Sequence, residues 1–406
     1  MNICFYTDFT ISGMTGGIGR ITSVLTDGFR HQFGWKVFSI HAFDAKADCT
    51  LTETDGAIRL RLHDRMNVHR ELRKNYPKAC DFIRSNAVDI VIIQTSMDVV
   101  GKLRKALDKE GLSSVKVISV LHYTPGTDEF GSSYGDLWQS IRHGKCTAKD
   151  LAKGLIAPLY NKIQHRATIK AYQNAYWQGD RLVLLSPSYI QIFKQLAGIA
   201  DADPIRLLAV PNCIPFEYDM SEAEISAKRK TALMVGRMAD NPKRVTEILH
   251  IWQQIEQDEE GQKWNLEIVG DGPDLEAFRQ KAQELGLQHC SFEGRQNPVE
   301  YYRHSSIFLM TSAFEGFPMT LCEAQQMACV PVVYDSFASL PEVVTDGVNG
   351  RIVKNMAREQ FVNTLLSLIK EPAALCDMMH AAVQSCQRYK QPQILSEWKQ
   401  LLTHLN

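Results

Sequence analysis

The strongest constraint on this 406-residue chain is a run of short apolar segments that alternates with helical ones, and does so twice. In the first half the apolar segments are Asn2–Thr7, Trp35–His41, Asp89–Gln94, Val115–His122, Arg181–Ser186 and Arg206–Val210, with helical patterns such as 66–86 and 98–110 between them. A segment like Asp89–Gln94 (DIVIIQ) is apolar at every interior position. Such a strand needs cover on both faces, which a parallel sheet flanked by helices supplies. Residues 211–230 break the series with Pro211 and Pro215 and then turn polar, so they read as a linker. A second series follows: Thr231–Arg237, Trp264–Gly270, Cys290–Gly294, Ser306–Ser312, Val330–Asp335 and Arg351–Lys354. The expected architecture is α/β, with two doubly wound domains (1–215 and 216–385) facing a central cleft. Residues 391–405 read as an amphipathic helix with Ile394, Trp398, Leu401 and Leu402 on one side. Residues 131–179 read as a polar, helix-biased insertion that Pro158 is expected to break.

Composition enters as exclusion. The net charge of −1 and the 45% apolar content rule out a disordered chain and argue against a dedicated nucleic-acid binder. The ten cysteines include no Cys-x-x-Cys pair, so they read as buried thiols of a reducing compartment. The first nine residues lack the pattern of a signal peptide, and no apolar run is long enough to span a bilayer, so a cytoplasmic protein is expected. The charge is divided, however. Residues 1–215 carry 27 Lys and Arg against 20 Asp and Glu, and the remainder carries the acidic excess. Within the basic half, 59–78 hold seven basic residues against two acids, and 142–181 hold eight against two. Such patches attract anionic headgroups, so peripheral contact with the inner face of a membrane is expected.

The segment richest in chemistry is Ser312–Pro331, with its core Glu315-Gly316-Phe317-Pro318-x-x-Leu321-x-Glu323. Glu315 is expected to close a strand, and Glu323 to lie two turns into the next helix. Pro318 suits the first turn of that helix, whose free N–H groups at Met319 to Leu321 would face an anion. Ligands of open α/β sheets bind beyond the carboxyl ends of the strands. A phosphate held there beside two carboxylates that accept hydroxyl hydrogen bonds suits a sugar nucleotide.

This string resembles the E-x7-E signature of retaining glycosyltransferases of the GT-B fold, the family numbered four in the sugar-transferase classification. The likeness continues in Val235-Gly236-Arg237 with Lys243, in Val269-Gly270-Asp271-Gly272-Pro273, in Pro341-Glu342-Val343-Val344, and in Asp346-Gly347-x-Asn349-Gly350. In the first half it rests on Gly16-Gly17-Ile18-Gly19-Arg20, His122, Ser186 and Val210-Pro211-Asn212. The resemblance implies that Arg237 and Lys243 grip the diphosphate and that Glu323 takes the ribose hydroxyls. It places Glu315 and His122 near the donor sugar. The backbone of Gly316, Phe317, Pro318, Met319, Thr320 and Leu321 would hold the phosphate and sugar, and Gly16 and Gly17 would let backbone approach the diphosphate. The resemblance also implies that a helix within 386–406 packs back on the first domain. The chain departs from the family pattern at Arg244, which stands where a glycine usually follows the lysine. It departs again at Ala328-Cys329, where a glycine usually precedes the next strand.

The implied activity is transfer of a hexose, with retention, from a nucleoside diphosphate sugar, UDP favoured. The acceptor would be a hydroxyl of a lipid-linked, lipopolysaccharide, capsule or exopolysaccharide sugar, by a same-face route in which the departing phosphate helps deprotonate it. Neither a cofactor nor a metal is expected; Asp201-Ala202-Asp203 reads as a surface turn. An epimerase or phosphorylase of the same fold stays open as an alternative. An NAD-dependent oxidoreductase is more distant, because Gly17-x-Gly19 leads to Thr22 instead of a third glycine and the second strand ends in His41, not an acid. A catalytically silent scaffold is disfavoured by the intact set Glu315, Glu323, Arg237 and Lys243.

Overall fold

In the computed structural model, residues 1–7, 16–41, 56–60, 62, 69–127 and 148–405 are described. They form two units: Met1–Pro215 with Gln391–Asn406, and Phe216–Lys390.

The first unit is built on a seven-stranded sheet. Its strands are β1 (Asn2–Thr7), β2 (Lys36–His41), β3 (Ala57–Arg59), β4 (Ile90–Ile93), β5 (Lys116–Leu121), β6 (Arg181–Leu184) and β7 (Leu207–Ala209). They pair in parallel in the order β3-β2-β1-β4-β5-β6-β7. The chain thus winds outward from β1 to one edge, then returns to β4 and winds to the other. Burial on both faces is complete where the sequence is most apolar: Ile90–Ile93 is buried at all four positions. Helix Asp98–Lys109 covers the sheet with Val99, Val100, Leu103 and Leu107.

The second unit repeats the plan with six parallel strands. These are β8 (Arg229–Val235), β9 (Asn265–Val269), β10 (Cys290–Gly294), β11 (Ser305–Met310), β12 (Val330–Asp335) and β13 (Arg351–Lys354), in the order β10-β9-β8-β11-β12-β13. Its core gathers Ile248 and Trp252 from helix Val245–Ile255, Leu266, Ile307, Val332, and Phe361 from helix Arg358–Lys370.

Two details here differ from the sequence reading. Strand β3 goes unforeseen because three residues at a sheet edge leave no periodic signal. Pro158 does not end its helix, which runs from Ala148 to Gln178. A proline inside a helix forfeits one N–H bond and kinks the axis, and in a helix this long the turns on either side still propagate. Residues 131–147 of the expected insertion lie outside the described residues.

The C-terminal helix, Gln391–Thr403, buries Ile394, Leu395, Trp398 and Leu402, with Leu395 taking the place expected for Leu401. It lies on helix Gly16–His31. Gly28 allows the approach, since a Cβ there would sit 2.5 Å from both terminal carbons of Leu395. Trp398 meets Phe29 edge-on at 6.4 Å, and Lys399 stands over the Phe33 ring. Truncating a buried tryptophan removes both its transfer energy and its packing. Trp398→Ala should therefore lower the stability of the first unit by about 3–5 kcal/mol, read by urea unfolding. A change under about 1 kcal/mol would show that the helix is not part of that unit's core.

Candidate functional site

In the second sheet the winding reverses between β8 and its neighbour β11. At such a switch point the loops leaving the two strands diverge and open a crevice at their carboxyl ends. Gly236, Arg237 and Lys243 follow β8, and Ser312–Pro318 follow β11. The two parts that the sequence reading singled out are thus brought together by topology.

Backbone packing positions the loop after β8. Gly270 has φ +147°, and a Cβ there would lie 1.8 Å from the Gly236 carbonyl oxygen. A Cβ on Gly272 would lie within 2.4–2.8 Å of three backbone atoms of Met238. No other residue type fits at either place. The approach is sealed by N–H bonds from Gly236 to Val269 O (3.0 Å), from Met238 to Asp271 O (3.0 Å) and from Asp274 to Met238 O (3.0 Å). The Asp274 carboxylate accepts the Asp240 N–H at 2.9 Å. The segment Val269–Pro273 is therefore a buttress for the loop that carries Arg237.

The same loop is sewn to the one after β11. Ala313 N–H donates to Pro242 O at 2.8 Å, and Thr311 Oγ1 donates to the carbonyls of Lys243 and Arg244. Lys243 Nζ stands 2.6 Å from Glu315 Oε1, with both side chains mostly buried. The structure pairs these two residues with each other, whereas the sequence reading had assigned them to separate parts of a ligand. Arg237 is exposed, and no hydrogen bond or ion pair holds its guanidinium among the described residues.

Helix Met319–Gln326 follows, with all but Thr320 buried. Two of the three amides expected to be free are used locally: Met319 N–H donates to Phe317 O, and Leu321 N–H to Pro318 O, each at 2.9 Å. Glu323 is fully buried, and its Oε2 accepts a hydrogen bond from the Tyr302 hydroxyl at 3.0 Å. Tyr302 lies in the helix Val299–His304 and was not foreseen, because nothing in a single sequence links it to Glu323. Phe317 packs edge-on against Tyr389 at 5.3 Å. The close Pro341–Gly350 is scaffold. Gln325 Nε2 donates to the Val343 and Asn349 carbonyls, Asn349 Oδ1 accepts the Thr345 N–H, and a Cβ on Gly350 would meet Pro331 at 2.6 Å.

Both departures from the family pattern fall on left-handed backbone. Arg244 has φ +51° and Ala328 φ +53°. That conformation explains why glycine would suit each site. Arg244 is held there in part by its hydrogen bond to Asn355 Oδ1 at 2.8 Å.

In the first unit the winding reverses between β1 and β4. Gly16 and Gly17 open the helix Gly16–His31 after β1; residues 8–15, which precede them, lie outside the described residues. His122 follows β5 and is buried, with Nε2 2.5 Å from Oε1 of Gln94, which follows β4. Burial pushes its imidazole down to about 4, so the ring is neutral near pH 7. Donating from Nε2 leaves Nδ1 as a buried acceptor without a partner among the described residues. Strand β2 ends in His41, which is buried between Thr7 Oγ1 and Ser39 Oγ, so no acid closes that strand. Asp203 Oδ1 accepts the Ile205 N–H at 2.8 Å, making 201–205 a surface turn.

Comparison with known proteins adds to this geometry. Residues 216–385, inside the second unit, match the family model described as glycosyl transferases group 1. An amylovoran biosynthesis glycosyltransferase from Erwinia amylovora is 29% identical over 199 residues, which is 48% of this chain and 55% of that protein. The chain thus spans about half the length of that curated relative. Among solved structures, the HepE protein of Anabaena in complex with UDP superposes with a TM-score of 0.74 at 15% identity, covering 99% of this chain and 100% of that one. The apo lipopolysaccharide outer core galactosyltransferase WaaB gives 0.70 at 19% identity, with 99% of each chain covered. The fold is therefore α/β of the GT-B class, with two Rossmann-like parallel-sheet domains.

Two outcomes follow from these local environments. His122 has a depressed folded value, so its contribution is present above its ordinary value near 6.5 and lost as pH falls toward 4. His122→Gln should flatten the stability decline over that window by on the order of 3 kcal/mol, measured by urea unfolding at stepped pH. An unchanged slope would contradict burial of a neutral ring. At the left-handed position, Arg244→Gly should leave the melting temperature unchanged or higher. Arg244→Val should cost about 2 kcal/mol, because a β-branched residue is the least compatible with positive φ.

Proposed function

We propose that this chain is a retaining glycosyltransferase. It moves a hexose from a nucleoside diphosphate sugar, UDP favoured, to a sugar hydroxyl of a lipid-linked, lipopolysaccharide, capsule or exopolysaccharide acceptor. The observation that carries the reading is the convergence of Arg237, the Lys243–Glu315 pair and the buried Glu323 helix at the β8/β11 reversal. Support also comes from the group 1 family match over 216–385 and from a structural neighbour whose complex contains UDP. The acceptor class is supported by relatives that serve amylovoran and lipopolysaccharide synthesis.

In this reading Arg237 and Lys243 neutralise the diphosphate, with Arg237 able to engage two oxygens at once. Lys243 then stands between two anions, Glu315 and phosphate, which holds its ammonium in place. Glu323, fixed by Tyr302, accepts from the ribose hydroxyls. The backbone of Gly316–Leu321 borders the phosphate and sugar. In the first unit the same reading assigns Gly16 and Gly17 to the diphosphate and gives the Nδ1 acceptor of His122 to a donor-sugar hydroxyl.

Chemistry consists of breaking the bond between the anomeric carbon and the leaving phosphate oxygen, and forming one to the acceptor oxygen on the same face. The acceptor proton passes to the departing phosphate. This same-face route needs no enzyme nucleophile, so Glu315, 2.6 Å from Lys243 Nζ, is not assigned that role. Stabilising the leaving group is then the largest catalytic contribution.

Transfer of radiolabelled sugar by Lys243→Ala and Glu323→Gln tests the assignment. Loss of one such stabilising group costs about 100-fold or more in rate, and each variant should show it while keeping a cooperative melt. Near-wild-type transfer by both would remove the site. An inverted anomer in the product NMR spectrum would remove the retaining route.

A further inference from the structure

The helix Ala148–Gln178 carries one acid, Asp150, and from Leu151 onward it has none. Its C-terminal half is anchored in the first unit through buried Tyr172, Ala175 and Tyr176. It lies against helix Asp98–Lys109 at Gly101, where a Cβ would sit 2.8 Å from Gln178 Oε1. At 3.6 residues per turn, the opposite side is an arc of about 100° holding Lys162, Ile163, Arg166, Lys170 and Trp177. All five are exposed, Ile163 at 56% and Trp177 at 62%. None of the three cations is in an ion pair among the described residues. The face runs about 22 Å along the axis.

Two large apolar side chains standing in water on one face, with three unpaired cations between them, call for a partner that is anionic and apolar at once. An acidic protein surface would take the cations but leave Ile163 and Trp177 wet, and a nucleic acid would stack on Trp177 but leave Ile163 wet. A bilayer takes both, because tryptophan prefers the headgroup level and lysine and arginine reach the phosphates. We propose that the Lys162–Trp177 face of this helix seats the first unit on an anionic lipid surface. The loop bearing Asp201 and Asp203 packs at Tyr176, near the C-terminal end of the helix, so the attraction is concentrated on Lys162–Lys170. The inference stands on this face alone and does not need the transferase reading.

Cosedimentation of the full chain with vesicles tests it, using phosphatidylcholine alone and phosphatidylcholine mixed with phosphatidylglycerol. Binding should require the anionic lipid and fall with salt. Each of Lys162→Gln, Arg166→Gln and Lys170→Gln should lower partitioning about five-fold, the increment for one basic residue near such a surface. Brominated phosphatidylglycerol should quench fluorescence in wild type, and markedly less in Trp177→Phe. Equal binding to neutral vesicles, or an undiminished triple Gln variant, would overturn the proposal. So would self-association without vesicles that Trp177→Ser abolishes, which would give the face to a second copy of the chain. Nucleotide binding by the same variants should be unchanged, which keeps failure of this proposal distinct from failure of the donor site.

Discussion

The second unit depends on how closely two backbones approach. Gly270 and Gly272 bring the end of β9 against Gly236–Met238 at distances that leave no room for a Cβ. This contact sets the direction in which the chain leaves β8, and so fixes Arg237 and Lys243 at the strand-order reversal. The N–H bonds across it replace water for groups that would otherwise be buried unpaired. A displacement here would carry Lys243 away from Glu315 and unstitch the loop after β11 through Pro242 and Thr311.

Charge is handled differently in the two units. In the second, a lysine and a glutamate are partly buried as a pair, and one arginine is left open to solvent. Desolvating either member of the pair alone would be costly, so each holds the other in place. In the first, His122 is kept neutral by burial and presents an acceptor instead of a charge.

Much of this was legible in the sequence. Twelve of the thirteen described strands were placed from the sequence, and central ones such as β4 stand out as apolar runs because a doubly covered parallel strand has no polar alternation to hide it. Glu315, Lys243 and Arg237 were singled out by motifs that resemble a known family's, and the fold brings the loops that carry them to one strand-order reversal. Partners that meet only in space were not: Tyr302 on Glu323, Gln94 on His122, and Leu395 on Gly28. Each looks ordinary in its own stretch of chain. The two breaks in the family pattern, Arg244 and Ala328, acquire a cause only when φ is known. Pro158 misled because local propensity was outweighed by propagation of a long helix.

The central claim is that a nucleoside diphosphate lies at the carboxyl ends of β8 and β11. A crystal structure of the chain with UDP tests it most directly. The account predicts diphosphate density within hydrogen-bond reach of Arg237 and Lys243, with the ribose beside Glu323. A nucleotide bound elsewhere, with Lys243 still paired only to Glu315, would contradict it.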